Sequence, residues 1–133
     1  MSNLTPNQLR QLADLLDASV SAINRYQVEN FNNISGTNHI IINHRENEIT
    51  LYSDRLRVEA IILSIENASD FIEGVRTAIQ EIENTISTIE TVGKVINIAT
   101  AVVALGLNIA KSNVDGAKDS LNDIVDILNG EEE

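Results

Sequence analysis

The chain has no cysteine, no tryptophan, one proline and only four aromatic residues, Tyr26, Phe31, Tyr52 and Phe71. Each shortage removes something. Without cysteine there is no disulfide, no thiolate metal site and no thiol nucleophile, a composition that suits a cytoplasmic protein. With so few aromatics, packing falls to aliphatic side chains, above all the stiff β-branched isoleucines and valines. Basic residues are scarce as well: nine Lys and Arg stand against twenty Asp and Glu, for a net charge of −11. They form no cluster, so phosphate neutralisation and nucleic-acid binding are not expected. Electrostatic attraction to an anionic membrane is weak for the same reason. The acidity serves first to keep an aliphatic-rich chain soluble. The opening MSNLTPNQLRQLADLL also lacks the basic start and apolar run of a secretory signal.

Catalytic signatures are missing too. There is no Gly-rich phosphate loop, and two histidines give little basis for a hydrolase triad. His39 and His44 stand near Glu46 and Glu48, but the spacing matches no zinc motif. Glu81 and Glu83 fall about 200° apart around a helix and do not converge for acid–base work. Glu73 and Arg76 can pair on one helical face, as a solvated ion pair of little worth. No enzyme activity, cofactor or metal is expected.

What the chain does have is aliphatic periodicity. Its 133 residues, 43% of them hydrophobic, suffice for one folded domain with a real core. Thr5-Pro6-Asn7-Gln8 is a helix opening: Thr5 caps, Pro6 sits where its missing N–H costs nothing, and Gln8 completes a capping box. Leu9, Leu12, Leu16, Val20 and Ile23 then form one stripe, and the first helix is expected over 6–31. The Asn-rich stretch 30–38 is turn chemistry. Beyond it, 39–42 and 48–52 are β-branched segments around a polar loop, and a small β-hairpin is expected over 39–52.

The strongest pattern follows. With heptad position a at Val58 and d at Ile61, the a sites continue through Ile65, Ile72, Ile79, Ile86, Gly93, Thr100 and Leu107. The d sites continue through Val75, Ile82, Ile89, Ile96, Val103 and Ala110, with Ala68 between. The phase also passes Asn67-Ala68-Ser69-Asp70 and reaches Ile124 and Leu128 without a slip. An unbroken helix over 54–129 would be about 110 Å long at 1.5 Å per residue, too long for one chain to bury its seam. The expected arrangement is a long coiled-coil-like helix over 54–111, a C-terminal helix over 113–129 and an acidic tail over 130–133. Together these predict a mainly α, single-domain helical bundle with the N- and C-terminal helices packed on the long one.

Strict a/d spacing is the pattern of knobs-into-holes packing, and Ile or Val at both positions favours three or more strands over two. The seam Val58, Ile61, Ile65, Ile72, Val75, Ile79, Ile82, Ile86 and Ile89 is therefore the expected homo-oligomer or partner interface. The stretch VINIATAVVALGLNIA, residues 95–110, is apolar on every face and contains Val95, Ile96, Val102, Val103, Leu105, Leu107 and Ile109. It suits the centre of a soluble bundle. It is also near the length that spans a bilayer, and Gly106 and Ala110 form a small-xxx-small pair. Two functions follow. The first is a non-enzymatic module for self-assembly or protein interaction through the heptad seam. The second is a membrane-inserting effector or anchor that uses 92–110.

Overall fold

Thr5, Pro6 and Gln8 act as expected in the computed structural model of the protein, which describes residues 2–130. Thr5 Oγ1 accepts the Gln8 amide at 3.0 Å, and Gln8 Oε1 accepts the Thr5 amide at 2.9 Å. The box satisfies two N–H groups that a first turn leaves without partners. It opens α1, Pro6–Glu29, which gives way to a 3₁₀ turn over Phe31–Asn33.

The hairpin expected over 39–52 is not formed. Those residues lie inside α2, Gly36–Val58, whose start is capped by Ser35 Oγ accepting the Asn38 amide at 3.1 Å. The cause is visible in its faces. The buried stripe of α2 is Ile42, Glu46, Ile49, Ser53 and Leu56, regular in spacing but polar at two positions. Ile40 and Leu51 point outward, 70% and 55% exposed. Polar residues inside and apolar ones outside erase the helical period, leaving β-branched composition as the only local signal. Strand pairing occurs elsewhere. β1, Ser2–Asn3, runs antiparallel to β2, Ser64–Ile65, with Asn3 opposite Ser64.

The helix expected over 54–111 is divided in two places. α2 ends at Val58, the chain extends through β2, and Asn67 adopts a left-handed φ of 57° before α3, Ala68–Thr85. A 3₁₀ turn over Ile86–Thr88 and extended residues Ile89 and Thr91 then lead into α4, Val92–Ala110. Thr91 Oγ1 caps α4 by accepting the Lys94 amide at 3.3 Å. A turn through Ser112 begins α5, Val114–Leu128, capped by Asn113 Oδ1 on the Gly116 amide at 3.0 Å. α5 matches the helix expected over 113–129, and Gly130, at φ 78°, lies just beyond it. Residues 131–133 of the expected acidic tail lie outside the described residues.

The five helices form a mainly α bundle arranged as a ring. α1 packs on α2, α2 on α4, α4 on α5, α5 on α3 and α3 back on α1. Hydrogen bonds and ion pairs of Asp14 with Arg57, Asp17 with Ser53 and Gln27 with Asn43 show that α1 and α2 run antiparallel. All five helices contribute to one cluster of buried apolar side chains. Gly106 allows α4 to come close to α2 and α1. A Cβ there would sit 2.9 Å from Tyr52 Cβ on α2 and 3.4 Å from Leu16 Cδ1 on α1. The small-xxx-small pair of Gly106 and Ala110 thus serves packing within the chain at its Gly106 end.

Candidate interaction surface

The heptad residues take different places on either side of the turn at 86–91. Before it they belong to the core. Ile61, Ile65, Ile72, Val75, Ile79, Ile82 and Ile86 are buried, and Ile89 is half-buried. Val58, at the end of α2, is 80% exposed and stands apart from the rest. The isoleucine seam that argued for three or more strands is thus covered by the chain's own helices, mainly α1 and α5.

After the turn, the core takes a different set of residues. Val95, Ala99, Val102, Gly106 and Ile109 face inward and are buried, joined by Ile98 and Leu105. Most of these precede a heptad site by one residue. One residue is a rotation of about 100° around a helix, so the 3₁₀ turn and two extended residues have re-phased the chain. The a and d sites themselves rotate outward, except Ala110 at the end of the helix, which stays buried. Gly93 and Thr100 are exposed; Ile96, Val103 and Leu107 are half-buried. Thr100 lies about 160° from Val102 around the helix, and Ala104, half-buried, adjoins it on this outer strip. Of the residues proposed for the apolar segment, Val95, Val102, Leu105 and Ile109 therefore fill the core. Ile96, Val103 and Leu107 flank the outer face.

The outer strip carries no charge. α4 has one charged residue, Lys94, and the next is Lys111 beyond its end. Arg45 of α2 reaches its edge, donating from Nε to Thr100 Oγ1 at 3.2 Å while its Nη1 pairs with Glu48 at 2.8 Å. Thr100 Oγ1 in turn donates to the Ile96 carbonyl at 2.8 Å. α4 is also the one helix, among the described residues, long and apolar enough to cross a membrane; 44% of its apolar window is buried within the protein.

A second notable region joins α1 to α2. Gln27 Nε2 donates to Asn43 Oδ1 at 3.0 Å and lies 2.9 Å from His39 Nδ1. His39 Nε2 lies 2.9 Å from the Phe31 carbonyl, and the Phe31 and His39 rings are 4.4 Å apart. The Phe31 carbonyl can only accept, so His39 Nε2 is the donor in that contact. One turn further along, the Asn24 side chain hydrogen-bonds the Glu46 carboxylate. Burial pushes the Glu46 carboxyl above the usual carboxylate range, and the Asn24 hydrogen bond offsets part of that rise. His44 is on another face, 3.5 Å from Glu48. Among the described residues no three His, Asp or Glu side chains converge on a metal-sized space. In the sequence, His39, His44, Glu46 and Glu48 stand out only as a set of metal-ligand types without a zinc spacing, and nothing marks Asn24, Gln27 and Asn43. Taking α2 as a helix would have found them, since 39, 43 and 46 then share a face opposite 24 and 27.

No protein family, curated protein or solved structure gives a match to this chain.

Proposed function

We propose that this chain is a non-enzymatic helical interaction module that associates with a second copy of itself through the outer strip of α4. The observation that supports this reading is the re-phasing at 86–91. It leaves Gly93 and Thr100 exposed on the outer side of α4, spaced as a heptad seam with Ile96, Val103 and Leu107, which are half-buried at the edge of the core and part-open to solvent. Helices meet through such seams. Small residues at Gly93, Thr100 and Ala104 allow two backbones to come close, with Ile96, Val103 and Leu107 alongside. A second copy is the fitting occupant because each chain carries −11, and α4 is a face on which two copies can meet without opposing acids. The isoleucine seam of α3 takes no part, so the assembly is built on α4 alone, and its simplest form is a pair.

Light scattering after size exclusion, without detergent, tests this. The full chain elutes as a discrete multiple of 14.6 kDa, and Val103→Asp returns it to one copy with an unchanged helical circular dichroism spectrum. A wild-type chain that stays monomeric up to high protein concentration overturns the reading.

A second reading rests on the length and apolar character of α4, which suit a bilayer-spanning segment. Liposome flotation of the same sample separates the two. Wild-type chain that floats, with Val103→Asp left at the bottom of the gradient, supports membrane insertion over pairing in solution.

A further inference from the structure

The α1–α2 interface holds two buried oxygens with nothing to accept from. Gln27 is 7% exposed and Glu46 is 8% exposed. Gln27 Oε1 and Glu46 Oε2 are each shut away from solvent and without a hydrogen-bond partner. Turning the Gln27 amide alone brings no relief: its Nε2 donates to Asn43 Oδ1 and lies against His39 Nδ1, and reversal would set oxygen against the Asn43 oxygen. Glu46 is already held from Asn24. Asn24 with Glu46 and Gln27 with Asn43 are successive rungs of one antiparallel seam, so the bare oxygens occupy neighbouring rungs.

A buried carboxylate ordinarily keeps its charge by pairing with a cation. Here the charged groups of the packed helices are engaged elsewhere. On α1, Arg25 donates to the Glu83 carbonyl, Glu29 accepts from Ser87, and Asp14 and Asp17 hold Arg57; Arg10 lies exposed near the helix start. On α2, Arg45 and His44 both face Glu48, Arg55 pairs with Glu59, and His39 is placed between Gln27 and Phe31. On α4, Lys94 lines a surface cleft with Thr85, Thr91 and Leu128. The other carboxylates of α2, Glu48 and Asp54, offer no positive charge.

We infer that Glu46 is carried as a neutral acid in the folded protein, its Oε2 hydroxyl donating to Gln27 Oε1, so that one proton latches α1 to α2. The proton turns one bare acceptor into a donor for the other and resolves both at once. Its loss leaves a buried anion facing an amide oxygen, and the latch opens. Burial raises the carboxyl in the direction this requires. The linkage sign follows. An acid raised by folding contributes stability that is fully present below the ordinary glutamate range. That contribution disappears as pH rises through the folded-state value.

Carboxyl-carbon NMR on the wild-type chain tests the latch directly. Across a titration from about pH 3.5 to 8.5, Glu46 is expected to lose its proton above the ordinary glutamate value of about 4.3. Loss of the Glu46 proton at or below that value overturns the inference. Glu46→Gln supplies a second readout, because its amide N–H2 replaces the acid hydroxyl as a donor to Gln27. The variant should melt higher than wild type at about pH 8 and lose less of its melting temperature between about pH 5 and 8. A variant that melts lower than wild type at both ends shows that the carboxylate, not the acid, is the form the fold uses.

Discussion

Two glycines in α4 show how much depends on what a single atom meets. At Gly106 an added Cβ falls 2.9 Å from Tyr52 Cβ, an atom fixed to the backbone of α2. Helix propensity favours alanine by about 1 kcal/mol, whereas overpacking costs about 1–3 kcal/mol, and here the neighbour cannot swing aside. Gly106→Ala should therefore lower stability by about 1–2 kcal/mol, read as a drop of several degrees in melting temperature. At Gly93, in the first turn of α4, nothing of the same chain lies within 4 Å, so Gly93→Ala should gain up to about 0.5 kcal/mol when melted at dilutions that keep the chain monomeric. Opposite signs for these two substitutions in one thermal-melt series would check the placement of α4. The sequence marked Gly106 as a small residue suited to close approach, but not which helix approaches it. That depends on Tyr52, in a segment whose helical state was hidden.

At the scale of elements, the two terminal helices were legible and the middle of the chain was not. α1 and α5 combine a side-chain cap with a clean apolar stripe, and both lie close to their expected spans. α2 has a cap, Ser35, but buries Glu46 and Ser53 while exposing Ile40 and Leu51, so its period is masked. The heptad after Val58 misled differently. Its spacing survives the turn at 86–91 while the buried face changes, and spacing records no change of face. The consequence separates two substitutions that the heptad pattern treats as equivalent. Ile79→Asp places an acid at a fully buried site on α3 and should cost more than about 4 kcal/mol, enough to unfold much of a marginally stable chain. Val103→Asp, at a half-buried site on the edge of the core, should cost distinctly less, about 1–2 kcal/mol when both chains are melted at dilutions that keep them monomeric. Circular dichroism melts of the pair decide it; equal loss would place α4's outer strip inside the core.

For the whole molecule, charge is the controlling quantity. Two chains of −11 repel on approach, and the repulsion reaches about 10 Å in 0.1 M salt but only about 3 Å at 1 M. Association through an uncharged strip should therefore tighten as salt rises, since screening removes the repulsion and leaves the apolar contact. Docking of a basic partner on the acidic surface would weaken under the same change. Sedimentation velocity from about 0.05 to 1 M salt gives the sign. The acidity was plain in the composition, and so was the mainly helical character. The closure of five helices into a ring was not, because contacts such as Arg25 with the Glu83 carbonyl join residues far apart in sequence.

α4 carries aliphatic residues on its inward stripe and also, beside Asn97 and Thr100, along its outward one, so its own sequence chooses only weakly which one faces the core. The connector at 86–91 makes that choice. Removal or addition of one residue there would turn the helix by about 100° and present Ile96, Val103 and Leu107 in place of Val95, Val102 and Ile109. In most helical proteins a length change beside a core helix exposes apolar side chains and buries charged ones. Here no acidic residue lies anywhere on the helix. A frame-preserving insertion or deletion of one codon is thus a short evolutionary path by which this fold could exchange the inward stripe of α4 for its outward one.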